Sequence, residues 1–259
     1  MESIRTAYDG DVLVVTIDNP NSELNAVNEV LHSELAELFR DLKREDRARA
    51  VLLTGSKKAF SAGGDYSWFP TLNTVERLEH LRRDARQLIW DLLDVELPIV
   101  AAINGPAVGL GASVALLCDL IVMADHAVIA DPHVRVGIVA GDGGTAIWPL
   151  LVGPALAKQF LLTGDAVSAP DALRMGLVNE VVSGSELAER GLYWARRLAA
   201  GAPLAVKYTK LAVNAQVKRA LLDSFDLATS LELVTFLSAD HQEALAALAQ
   251  KRAPVFTGR

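Results

Sequence analysis

Two glycine-rich turns, each released from the end of an apolar run, constrain this chain more than any other feature of its sequence. Ala50-Val51-Leu52-Leu53 leads into Lys58-Ala59-Phe60-Ser61-Ala62-Gly63-Gly64-Asp65, and Ile99-Val100-Ala101-Ala102-Ile103 leads into Gly105-Pro106-Ala107-Val108-Gly109-Leu110-Gly111. A segment suited to a helix start follows each turn. Glycine admits positive φ and lets a ligand approach the backbone closely. Two such turns can therefore aim a pair of backbone N–H groups at one anionic oxygen. A single glycine-rich turn is usually only a connection; the pair, with these flanks, is much more specific.

The rhythm around the turns is strand, loop, helix. Val12–Ile17 is β-branched and bounded by turn residues, as a strand requires. Asn28 is placed to cap a helix whose Leu31, Leu35, Leu38 and Leu42 recur at helical spacing. Strand 50–53, loop 54–65, a helix near 74–93 and strand 99–103 repeat the pattern, which favours an α/β fold with layered strands. After about residue 143 the strand signals nearly vanish, and helices are expected at 154–163, 186–200, 204–218, 219–236 and 239–250. Gly201-Ala202-Pro203 marks the change, since proline suits a helix start. The expected organisation is a 1–200 α/β core and a 201–259 helical extension within the same structural unit.

Composition excludes several classes. With 259 residues and 51% apolar content the chain is long enough for a substantial core. No run approaches eighteen uninterrupted apolar residues, so no membrane span is expected. The start Met1-Glu2-Ser3-Ile4-Arg5 lacks the apolar core of a secretion signal and the pattern of an import leader. The lone Cys118, in Ala115-Leu116-Leu117-Cys118, argues against a disulfide scaffold and suits a reducing compartment, so a cytoplasmic location is expected, with Cys118 as buried apolar filling. A formal charge of −7 offers nucleic acid no general attraction. Lys57-Lys58 and Lys251-Arg252 are local cations that suit a phosphate-bearing small ligand. No metal site is expected, because His32, His80, His126, His133 and His241 are dispersed. A Gly-x-Ser-x-Gly elbow and a dinucleotide-binding fingerprint are likewise lacking.

Ala59-Phe60-Ser61-Ala62-Gly63-Gly64-Asp65 resembles the "A-F-x-A-G-x-D" block of the enoyl-CoA hydratase/isomerase (crotonase) superfamily. Gly105 to Ser113, running on to Cys118-Asp119-Leu120, resembles that family's second block. A third block, Ala130-Asp131-Pro132-His133 with Gly137 and Gly141-Asp142-Gly143-Gly144-Thr145, agrees, as do Leu162-Thr163-Gly164 and Ala172 to Val181. The matches run in order from about residue 12 to the C-terminus. The resemblance implies a crotonase-like spiral of ββα units, with C-terminal helices that support a homotrimer or hexamer. It also implies an acyl-CoA substrate, whose coenzyme A is part of the substrate and leaves no separate cofactor to supply.

By motif position, the resemblance puts the thioester oxyanion between the backbone N–H groups of Gly64 and Leu110. Leu110 replaces a frequent glycine, but a backbone donor does not depend on the side chain, and it stands at an expected helix start. The two glutamates of the hydratases are replaced by Ser113 and His133. Ser113 shares a helix face with Leu110 and can hold a water or substrate group, but it is no carboxylate base. His133 exchanges protons near neutral pH. Asp142 is either a third acid/base candidate or the cap of a following helix. Ala62 is expected near the adenine, Lys57 and Lys58 near the phosphates, and Tyr66 and Trp68, with Phe69, in an acyl pocket. Gly141 belongs to the loop that brings Asp142 up to the ligand; Asp65 is expected to hold its own turn, and sequence alone does not place Arg135 or Trp148. Without the glutamates, hydration is the less natural reaction; isomerisation, thioester or carbon–carbon hydrolysis and decarboxylation need fewer acid/base groups. A reading of another class is a non-catalytic CoA-binding or RNA-associated scaffold, which leaves the intact glycine blocks without a task.

Overall fold

The computed structural model describes residues 1–259. Chain order begins with an antiparallel pair, β1 (Ile4–Asp9) and β2 (Val12–Ile17), turned at Gly10. Next come helix α1 (Glu29–Leu42), strand β3 (Ala50–Gly55), helix α2 (Val75–Asp94) and strand β4 (Ile99–Ile103). A two-residue strand β5 (Ala107–Val108) leads to helix α3 (Leu110–Leu116), followed by strands β6 (Leu120–Ala124) and β7 (Val128–Ala130). Helix α4 (Gly144–Thr163), strand β8 (Val167–Ser168), helix α5 (Ala169–Met175) and strand β9 (Glu180–Val182) follow. Helices α6 (Leu187–Ala199), α7 (Pro203–Phe236) and α8 (Ala239–Ala249) complete the chain.

The main sheet has the order β1-β2-β3-β4-β6-β9, and every pairing after the first is parallel. β4 is buried at all five positions and β3 at its first four, as parallel strands covered on both faces should be. A second, small sheet runs β5-β7-β8. Parallel bridges Val27↔Gly64 and Ser61↔Ala107 extend its ladder to the earlier turns, and Ala107 pairs in turn with Ile129. Each winding thus adds one strand to the large sheet, one short rung to the small one, and a helix. This is the expected spiral of ββα units, and it stacks the two glycine turns side by side.

Local signals explain the elements. Asn28 caps α1, its side chain accepting from the Leu31 amide at 2.9 Å, and Leu31, Leu35, Leu38 and Leu42 all face the core. Burying a leucine of this kind stabilises the fold by about 1.5–3 kcal/mol. Two expectations need correction and one holds. Strands do not end near residue 143, since β8 and β9 follow; at two and three residues, neither carries enough apolar pattern to be read. The helix expected over 154–163 is present as the second half of α4: Gly153, with φ of 76° and ψ of 160°, breaks the helix and sets Pro154 at a fresh start, while the turns from Gly144 to Val152 precede it. The two helices expected over 204–218 and 219–236 are one, α7, which contains no Gly or Pro beyond Pro203. Its first half is anchored by polar groups rather than an apolar stripe. The Lys210 ammonium reaches the Leu97 carbonyl at 2.8 Å and Asp119 at 2.7 Å, and the Asn214 amide donates to the Leu93 carbonyl.

The main core runs from Ile4 through Leu221 and Phe225, so helices α6 and α7 contribute side chains to the core that the sheet packs into. A smaller cluster joins Leu72 and Leu78 to Val136, Ile138, Phe236 and Ala244, and walls the site described next. Helix α4 has the length and apolar composition of a membrane-crossing helix, but Gly153 interrupts it and Ala146, Ile147 and Trp148 are buried in the core. Cys118 is buried, as expected, its thiol donating to the Val114 carbonyl; burial pushes its pKa up and keeps it a thiol.

Candidate active site

The two turns touch. Gly63 has φ of +78°, and a side chain there would also meet the Val108 carbonyl at 2.8 Å, so only glycine fits. The Val27 amide donates to the Gly63 carbonyl, the Val108 amide to the Ser61 carbonyl and the Gly109 amide to the Ala130 carbonyl. These bonds fix the turns against one another and leave the amides of Gly64 and Leu110 with no protein acceptor. Leu110 is the first residue of α3, where helix geometry leaves the N–H free. Both residues line one cavity of about 70 Å³, together with His133, Asp142 and Glu232. Trp68 lines it too, whereas Tyr66 and Ala62 line an outer recess of about 30 Å³. Phe69 borders both, its ring lying where a side chain on Gly64 would be.

The titratable side chains form one connected array. The His133 ring is held between carboxylates: its Nδ1 donates to Asp131 Oδ1, and its Nε2 lies 3.5 Å from Asp142 Oδ2 and 4.0 Å from Glu232 Oε1. The Ser113 hydroxyl donates to Asp142 Oδ1 at 3.0 Å. Ser113 is 1% exposed, so its hydroxyl serves Asp142 and is not free to hold a substrate group. Helix α4 has Gly143 at its N-cap, and the Asp142 carboxylate meets Ser113, His133 and the backbone amide of Gly144. Asp131, wholly buried, sets its second oxygen against Gly144 in the first turn of α4, where the helix dipole favours negative charge.

Burial disfavours the His133 imidazolium, but Asp131, Asp142 and Glu232 outweigh it and push the pKa up to about 10. His133 is therefore cationic at neutral pH. Burial raises the Asp142 pKa against the pull of His133, and it raises Glu232, from α7, to about 8. Near pH 7 the array holds a charged donor in His133, a neutral carboxyl in Glu232, and in Asp142 a carboxyl of raised basicity. Asp131, His133 and Asp142 also bring potential metal-ligand atoms within 4.8 Å of one another. In this arrangement the two aspartates address the ring itself, Asp131 at Nδ1 and Asp142 at Nε2.

The remaining sequence candidates divide. Gly141 lines neither cavity; it packs against α7, where a side chain on it would meet Glu232 Oε2 at 2.3 Å. Lys57 is engaged, its ammonium donating to the Asn19 and Ser22 carbonyls near Asp18, whereas Lys58 is exposed without a partner. Arg252 pairs with Glu243. Asp65 holds its turn, accepting from the Ser67 amide. Arg135 turns to Thr163 and Asp165, and Trp148 is core. Sequence reasoning assigned no role to Asp131, Glu232 or His32. Glu232 had a usable signal: Phe225, Thr229, Glu232 and Phe236 fall on one helical stripe, which makes a carboxylate on the apolar face conspicuous.

Comparison with known proteins identifies the family. The sequence pattern of the enoyl-CoA hydratase/isomerase family matches residues 8–259. The chain is 35% identical to a short-chain-enoyl-CoA hydratase of Clostridium acetobutylicum over 94% of its own length and 93% of that protein's. An enoyl-CoA hydratase/isomerase structure from Mycobacterium paratuberculosis superposes with a TM-score of 0.91 at 37% identity, covering 95% of this chain and 98% of the other. A beta-diketone hydrolase of the cyanobacterium Anabaena, with (S)-3-oxocyclohexyl acetic acid bound, superposes with a TM-score of 0.86 at 30% identity, covering 91% and 94%. With a family match over nearly the whole chain, carried by the stacked glycine turns on a spiral of ββα units, the chain belongs to the enoyl-CoA hydratase/isomerase family.

Proposed function

We propose that the chain is an enzyme acting on an acyl- or enoyl-CoA thioester, with the thioester oxygen held as an oxyanion between the amides of Gly64 and Leu110. The observation that carries this reading is the opening of two unpartnered backbone amides and a carboxylate-flanked imidazolium into one cavity. Losing one donor of such a pair typically costs about 2.7–4 kcal/mol of transition-state stabilisation. His133 is the proton donor and Asp142 the acceptor; Ser113 and Asp131 hold them in place. Lys58 is the free cation for the CoA phosphates beside the Ala62 turn. Exposed apolar positions along α7 support a homotrimer or hexamer.

The absence of both glutamates makes fast hydration of crotonyl-CoA unexpected. A second reading, carbon–carbon hydrolysis of a β-diketone, is favoured by the His133–Asp142 pair and by the likeness to the Anabaena enzyme. There Asp142 takes a proton from the attacking water, the bond between the hydrated carbonyl and its α-carbon breaks, and His133 protonates the enolate as it leaves the two amides. The deciding measurements are calorimetric titration with CoA and acetyl-CoA, and turnover on crotonyl-CoA, saturated thioesters and cyclic β-diketones. Binding of CoA esters is expected, together with loss of at least about 10²-fold in kcat for His133→Ala or Asp142→Asn and a smaller loss for Ser113→Ala. No binding at millimolar ligand, or fast crotonyl-CoA hydration unmoved by all three changes, overturns the proposal. Binding without turnover of any substrate would mark a CoA-binding scaffold.

A further inference from the structure

The proton-transfer array leaves one buried titratable group unused. His32, on α1, is 5% exposed, and its ring makes no hydrogen bond to protein; its nearest aromatic neighbour is Trp68, with ring centroids 5.7 Å apart. It sits between buried Leu31 and Leu35 on the helix, at a position where a leucine would complete an apolar wall without an unmet polar group. Burial holds its pKa down at about 4, so the ring is neutral and presents one N–H donor and one lone pair. Neither ring nitrogen bonds to protein and neither is sealed off from the cavities it borders, so the imidazole is open to a partner from outside the protein.

The position of His32 indicates what that partner is. His32 lines the cavity that holds Gly64, Leu110 and His133, so it faces whatever acyl group extends from the two amides. Together with Trp68, Leu72 and Leu81 it also lines a second cavity, of about 530 Å³, opening between α1 and α2 toward polar and charged side chains that include Glu29, Glu76, Arg77, His80 and Asp84. An acyl group running from the amides toward that opening meets apolar surface on Trp68, Leu72 and Leu81 and one hydrogen-bonding group, His32. We infer that His32 recognises a second oxygen function, a ketone or hydroxyl remote from the thioester, and that the preferred acyl groups carry one. The inference rests on the CoA-thioester reading above and adds to it the class of acyl group.

The test is calorimetric binding of pentanoyl-, hexanoyl- and heptanoyl-CoA, each paired with the same ester bearing a ketone on its penultimate carbon. At least one keto ester should bind about tenfold tighter than its saturated partner, as expected when a buried donor gains an acceptor. His32→Leu should erase that preference while still melting cooperatively; His32→Gln, which keeps an N–H donor, should retain much of it. Equal binding within every pair, or a preference that survives His32→Leu, overturns the inference and leaves the oxyanion reading standing. If none of the six esters binds, the CoA-thioester reading falls and this inference with it.

Discussion

At the scale of single residues, the environment of Glu232 has a measurable consequence for stability. Its carboxyl is packed under Gly141 and close to Asp131, His133 and Asp142, and burial raises its pKa from the ordinary 4.5 to about 8. Between those values the folded chain keeps a proton that the unfolded chain releases, so this group makes stability fall as pH rises through the window. His133, raised from 6.5 to about 10, lowers stability further above pH 6.5, and His32, lowered to about 4, works in the opposite sense between pH 4 and 6.5. Glu232→Gln isolates the first effect. Urea unfolding at pH 5 and pH 8 should show a smaller loss of stability for the variant than for the parent, with a difference of at most about 1.4 kcal/mol per pH unit. Identical slopes would show that Glu232 is ionised throughout. Ser113, His133 and Asp142 were legible as candidates because their blocks can be read along the chain. Their arrangement was not, since which nitrogen faces which carboxylate is set by tertiary placement. The Ser113 hydroxyl shows the difference: its position on α3 was readable, its service to Asp142 was not.

At the scale of elements, legibility tracked burial. β3 and β4 read clearly because strands covered on both faces are apolar at nearly every position. β1 went unread because it is an edge strand with four exposed residues in a row, Arg5 to Tyr8, and is held by its ladder to β2. α1 was legible down to its cap, and that cap can be tested. Asn28→Ala leaves the Leu31 amide without its acceptor and should destabilise the protein by about 1 kcal/mol, while Asn28→Asp should cost little. Chemical denaturation of the three proteins side by side checks this; no loss on Asn28→Ala would mean that water replaces the cap at no cost. α7 shows the opposite limit. The resemblance assigns the C-terminal helices to subunit contacts, whereas within the chain Leu221 and Phe236 are core and Glu232 lines the cavity. A 34-residue helix that presents different faces to different neighbours along its length offers no single stripe to read.

At the scale of the whole molecule, the apolar residues left outside are concentrated where the chain has no partner of its own. On α7, Leu204, Val213, Leu222, Leu227 and Val234 are exposed, Leu222 and Val234 to 64% and 67%; Leu150 and Leu151 on α4 join Val213 around a groove of about 600 Å³. Patches of this kind on a folded chain mark surfaces that associate. Light scattering at micromolar concentration should give a trimer or a multiple of it, and Leu222→Lys or Val213→Glu should shift the population toward smaller species. A parent protein that runs as a monomer would contradict the assembly.

The spiral also sets the order in which the site can come into being. Its amides lie on windings closed by rungs such as Ser61↔Ala107, between residues far apart in sequence, and its last wall, bearing Glu232 and Phe236, is near the end of the chain. Contacts of such long range form slowly, and a chain emerging from the ribosome has made both glycine turns well before the helix that covers them. Until that helix docks, the cavity floor exists with one side open to water. Docking of α7 therefore acts as a completion step, and the cavity gains its last wall only then.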